Sequence, residues 1–162
     1  MRKFLLLFFL VPILGYAQSG EFKRKYIFLA TGFDVRNAIS GKVLRAPAYD
    51  GTYTLGYRNE NFQVQANYEY FSKIYYQDMG LSAGMIFRIK HKLNYGILAG
   101  IVLIQREVKW IADRINYGFS LTPQAIYHFT NHLFMAATLD GKYRGDIEET
   151  VVSGRLALGF KI

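Results

Sequence analysis

Few residues in this 162-residue chain have the types and spacing to do chemistry. His128 and Thr130 stand two apart, and Asp140 follows. A hydroxyl nucleophile, an imidazole base and an orienting acid are the parts of an acyl-transfer site, if the base reaches the hydroxyl and the acid holds the base. In the bland alternative, His128 and Thr130 simply flank a turn. A second group is charged: Glu69, with Arg58, Arg88 and Arg155. Held out of water, these groups need partners, so Glu69 is expected to meet at least one of the three arginines. A third group is cationic, with Arg36, Lys42, Arg45, Arg106, Lys109, Arg114 and Arg144 spread over connections that also carry Trp110. Such residues suit docking to an anionic surface or a partner protein. His91, His128 and His132 all lie near turns without supporting carboxylates, so no metal site is expected. The absence of cysteine excludes disulfides, thiolate metal sites and a lipid anchor on Cys. No glycine-rich phosphate loop occurs, and no cofactor is implied.

The elements that must position these residues are strands. Phe62 to Tyr70 alternates strictly, with apolar or aromatic residues at even positions and Gln63, Gln65, Asn67 and Glu69 at odd ones. A period of two sends the two sets to opposite faces of one strand. Rings end the apolar face, and Val64 and Ala66 occupy its middle. The pattern repeats along the chain. Strands are expected over Phe22–Gly32, Gly51–Arg58, Phe62–Phe71, Asp78–Ile89, Leu93–Ile104, Ile115–Phe129, Leu133–Lys142 and Val151–Ile162. The first and seventh alternate poorly, and Tyr26, Phe28 and Ala30 compete with Ile27 and Leu29 for the outer face. Pro123 removes a ladder donor, so a bulge or local distortion is expected there. The polar face gathers Arg58, Gln63, Gln65, Asn67, Glu69, Arg88, Gln124 and Arg155.

Residues 1–17 read as a cleaved signal peptide, with Arg2 and Lys3, the apolar Phe4–Leu14 and a small-x-small site at Gly15–Ala17. That apolar run is too short to span a membrane, which takes about 20 residues. Residues 18–162 then form one exported domain, and export argues against a nucleic-acid partner. The net charge of +8, two units of which belong to the leader, would suit lipopolysaccharide phosphates or an ordinary solvated surface.

Turns after the second, fourth and sixth strands read as short, and the other connections as longer. That asymmetry marks bacterial outer-membrane barrels, with short turns in the periplasm and long loops outside. The aromatics also sort by depth. Tyr57, Phe62, Phe87, Tyr95, Tyr127 and Phe160 fall near the periplasmic ends, and Tyr70 and Tyr117 near the outer ends. Leu55, Val64, Ala66, Ile97 and Leu121 lie between. Two girdles of rings around an aliphatic belt are what a bilayer favours. The reading is an all-β, eight-stranded antiparallel up-and-down transmembrane barrel of a Gram-negative outer membrane, its N-terminus periplasmic.

On these features the chain resembles the small eight-stranded outer-membrane barrels, the class of the outer membrane protein A transmembrane domain. Its end, Gly154-Arg155-Leu156-Ala157-Leu158-Gly159-Phe160-Lys161-Ile162, is similar to the segment by which the barrel assembly machinery recognises such proteins, though those usually end on Phe itself. The resemblance implies outer-membrane lipid and lipopolysaccharide as surroundings and leaves the role open. The expected role is non-enzymatic, structural or interacting, with an envelope protein as partner. His128-x-Thr130 also resembles the His-x-Ser of the lipid A 3-O-deacylases, with Asp140 for the acid. Thr replaces Ser, however, and His128 should point inward. A narrow, porin-like pore is a third reading, set against a lumen packed with paired charges.

Overall fold

The computed structural model describes residues 25–35, 50–71, 76–88, 92–106 and 115–162. Eight strands form one closed barrel: β1 Lys25–Asp34, β2 Asp50–Asn59, β3 Phe62–Phe71, β4 Tyr76–Arg88, β5 Leu93–Arg106, β6 Ile115–His128, β7 Leu133–Arg144 and β8 Glu149–Lys161. Each pairs antiparallel with its neighbours in sequence, and β1 meets β8 from Phe28↔Lys161 to Asp34↔Arg155. Closure leaves no sheet edge at those positions to be satisfied by lipid or water.

The alternation of β3 sets the frame. Gln63 and Glu69 are buried, while Phe62 and Val64 are exposed. The same inversion runs round the wall. Leu55, Leu81, Ile97, Ile101, Leu121 and Leu158 lie exposed, while Arg58, Glu69, Asp78, Asp140, Lys142 and Lys161 are buried. An apolar surface that is continuous around a barrel is far larger than the few hundred Å² a soluble monomer exposes. All eight rings expected in the girdles, Tyr57, Phe62, Tyr70, Phe87, Tyr95, Tyr117, Tyr127 and Phe160, stand on this outer surface.

Two expectations change, and a third is met in one of its two forms. Tyr26 and Phe28 face inward, at 4% and 3% exposure, and Ile27 and Leu29 face out. The reason is space: a side chain at Gly56, directly across from Phe28, would overlap the Phe28 ring. Gly159 makes the same room for Phe134 on β7. Secondly, strands run longer than expected at the end away from the chain termini. Tyr76 and Gln77 pair with Arg106 and Gln105, and Tyr143 and Arg144 pair with Thr150 and Glu149. Connections 72–75 and 145–148 are therefore as short as 89–92 and 129–132 at the opposite end. Only the first and fifth connections remain long. The distortion expected at Pro123 is present, as a gap in the ladder rather than a bulge. The β6–β7 pairing stops after Leu121↔Gly141 and resumes at Gln124↔Thr138 in the same register. Proline lacks the N–H that the ladder needs. The Thr122 hydroxyl instead donates to Asp140 Oδ1 across the gap, at 2.7 Å.

Candidate functional site

The inward positions of β3 carry a polar spine along the lumen. Arg58 Nε on β2 donates to Gln63 Oε1 at 2.9 Å. Gln63 Nε2 donates to Gln65 Oε1 at 2.5 Å, and Gln65 Nε2 to Asn67 Oδ1 at 2.9 Å. Asn67 then donates to Ser82 Oγ and accepts from Thr54, each at 3.0 Å. Residues two apart on a strand share a face, so this one alternating stretch lays three amides and a carboxylate in a row.

Glu69 ends the row in a buried cluster of three carboxylates and two cations. Its Oε2 accepts from Lys142 Nζ and from Arg155 Nη2, both at 2.6 Å. Lys142 also bonds Asp78 and lies 3.7 Å from Asp140. Arg155 Nη1 lies 3.2 Å from Asp140. The Tyr76 hydroxyl donates to Asp78 at 2.6 Å, so no carboxylate of the cluster rests on one contact. Two pairs of neighbouring strands on opposite sides of the lumen, β3 with β4 and β7 with β8, supply the five side chains. Above the cluster, Arg144 lies 4.1 Å from the centre of the Tyr76 ring and pairs with Asp146 at 2.5 Å. Glu69, Tyr76, Lys142, Arg144 and Arg155 line a cavity of about 120 Å³ that also touches Asp34 and Asp50.

The other half of the lumen holds an apolar plug below a polar mouth. Tyr26, Phe28, Ile86, Ile126, Phe134 and Ala136 form one buried cluster. Phe28 and Phe134 meet edge to face with ring centres 5.4 Å apart. His128 packs edge-on against Tyr26 and Phe134, with Nε2 2.9 Å from the Asn94 amide nitrogen.

The structure thus brings Glu69 and Arg155 together and separates them from Arg58 and Arg88. Arg58 sits at the far end of the spine, held by Gln63, and Arg88 is exposed at the last residue of β4. The reason is axial: both arginines end strands that run toward the chain termini, and Glu69 lies near the opposite end of β3. Lys142 and Asp78 are central members of the cluster that the sequence reading passed over. Their parity with Gly80 and Ser82, and with Asp140, was the available signal. Asp140, considered above as a catalytic acid, is a structural partner of Arg155, Lys142 and Thr122.

His128, Thr130 and Asp140 do not assemble. His128 is level with Phe134, six residues from Asp140 along β7, which is roughly 20 Å of strand. The Thr130 oxygen accepts from the backbone N–H groups of His132 and Leu133, at 3.1 and 2.9 Å. That is turn chemistry. Among the described residues, no group of His, Asp and Glu is arranged to hold a metal ion. Of the cationic connections, Arg36, Lys42, Arg45, Lys109, Trp110 and Arg114 lie outside the described residues, as does His91.

No family model and no curated protein matches this sequence. Solved structures do. The N-terminal β-barrel domain of Pseudomonas aeruginosa OprF superposes with a TM-score of 0.62 at 18% identity, over 86% of this chain and 98% of that one. Yersinia pestis outer membrane protein Ail, in a phospholipid bilayer nanodisc, gives 0.59 at 13% identity, over 85% and 99%. Ail has also been crystallised in complex with the heparin analogue sucrose octasulfate. Neisserial surface protein A gives 0.55 at 13% identity, over 86% and 97%. Sequences this distant share architecture rather than site chemistry. The chain has the fold of the small eight-stranded outer-membrane β-barrels.

Proposed function

We propose that this protein is a non-enzymatic integral barrel of a bacterial outer membrane, with a structural or interaction role in the envelope. The observation that carries the reading is the inversion of the barrel, apolar outside and charged inside. The apolar Phe28–Phe134 cluster in the lumen speaks against conduction, and the separation of His128 from Asp140 against acyl transfer. In this reading residues 1–17 direct export and are removed, and the barrel assembly machinery inserts the rest. The chain termini face the periplasm and the two long connections face outward. Arg36, Lys42 and Arg45 on the first of these, and Arg106 beside the second, supply charge for lipopolysaccharide phosphates or an acidic envelope protein.

Two measurements on cells and bilayers separate the alternatives. Refolded protein in planar bilayers is expected to give no stable conductance steps. Lipid A from cells producing it is expected to keep its full acyl-chain mass. A steady step that scales with protein would make it a pore. A lipid A species lacking one acyl chain, absent when His128 is replaced, would make it an enzyme.

A further inference from the structure

The mouth of the lumen near the chain termini is basic. Each strand that ends there places a basic residue at its last inward position: Arg58 on β2, Arg88 on β4, His128 on β6 and Lys161 on β8. Among the described residues, every inward-facing carboxylate lies in the other half of the barrel. Arg58 is 3% exposed, yet among the described residues its guanidinium meets no carboxylate. Nε and Nη2 both donate to Gln63 Oε1, and Nη1 has no partner. Its cross-strand neighbour Tyr26 is as deeply buried, and among the described residues the Tyr26 hydroxyl interacts with Arg58 and finds no acceptor for its own proton. The Tyr26 ring lies between two cations, with Arg58 Cζ 5.5 Å and Lys161 Nζ 5.1 Å from its centre. Lys161 Nζ donates to the Thr130 carbonyl at 3.2 Å, which holds the ammonium at this level.

A buried guanidinium without a counter-charge is costly, and a neutral amide oxygen does not neutralise it. Among the described residues the guanidinium lacks a counter-charge and the hydroxyl beside it lacks an acceptor, which calls for one missing group, a small species that is anionic and accepts from both. We propose that Arg58 and Tyr26, with Lys161 beside them, form a binding site for a small oxyanion of the phosphate class. All these groups face the lumen, so a lipid headgroup on the outer wall is out of reach. The site is independent of the cationic outer connections and lies at the opposite end of the barrel.

The test uses the full barrel folded into phosphatidylcholine vesicles, unfolded in urea with and without inorganic phosphate at constant ionic strength. For the wild type the midpoint is expected to rise saturably with phosphate, as ligand linkage requires. Tyr26→Phe keeps the ring and removes one donor, so phosphate should bind about tenfold more weakly. Arg58→Leu should abolish the response, and without phosphate it should unfold no earlier than the wild type. The proposal fails if the wild type shows no saturable response, or if Arg58→Leu responds equally. It also fails if Arg58→Leu is destabilised by the same amount with and without phosphate, because Arg58 then serves only Gln63 and Tyr26. Should Arg58→Leu not refold, an unchanged phosphate affinity in Tyr26→Phe overturns the site by itself.

Discussion

Lys142→Met is expected to destabilise the barrel by about 3–5 kcal/mol, the range for breaking a buried pair and leaving charge uncompensated. The cluster holds three carboxylates against two cations, so its members are not equivalent. Without Lys142, Asp78 keeps only the Tyr76 hydroxyl, while Glu69 and Asp140 must share Arg155. Glu69→Gln removes charge of the sign in excess. Asp78 and Asp140 then remain paired with Lys142 and Arg155, so its cost should be clearly smaller. Replacing Asp78 by Leu in the Lys142→Met background should recover roughly 0.5–3 kcal/mol, as coupling between contacting residues requires. The measurement is the urea unfolding free energy of each variant in the same vesicles. Equal costs for Lys142→Met and Glu69→Gln would show that the excess of carboxylates does not govern the cluster.

Phe28→Ala should cost about 3–5 kcal/mol, because it empties the centre of the apolar plug. The ring is 3% exposed and touches Tyr26 and Phe134 edge-on, at centroid distances of 6.1 and 5.4 Å. The loss should be specific to shape. Gly56→Ala puts a methyl where the Phe28 ring lies and is expected to cost about 1–3 kcal/mol through overpacking. Phe28→Leu should relieve part of that cost when the two are combined. Simple additivity of the two changes would mean that Gly56 and Phe28 do not share the space the structure gives them. The same unfolding curves decide the point.

These two regions also explain what could be read in advance. Strands whose inner face is polar throughout, β3 above all, announced both faces by alternation, and the girdles followed from them. Strands β1 and β7 did not, and they are the two that meet through Phe28 and Phe134. Where the lumen is filled by an apolar plug, both faces of a strand are hydrophobic and the period of two disappears. The glycines that make room, Gly56 and Gly159, were visible signals, but their meaning depends on which residue lies across the ladder. The charge cluster was half legible for a related reason. Glu69 and Arg155 lie on strands with readable faces, whereas Lys142 lies on β7, and Asp78 stood at the edge of a strand read as starting there. Loop lengths were overestimated because Tyr76, Gln77, Tyr143 and Arg144 resemble connection residues by type, yet continue the ladder. Register, unlike face, is set by partners far away in sequence.

The central claim is that the outer wall faces lipid and the polar spine faces a closed interior. Because the chain has no cysteine, each single introduced cysteine carries the only nitroxide label. The decisive measurement is the collision rate of that label with oxygen and with a water-soluble nickel chelate, for the barrel folded in vesicles. Labels at Leu55 and Leu121 should meet oxygen readily and nickel scarcely, labels at Tyr57 and Tyr70 should be intermediate, and a label at Gln65 should be shielded from both. Free access of nickel to Leu55 and Leu121, as high as at the exposed turn residue Glu60, would contradict the account.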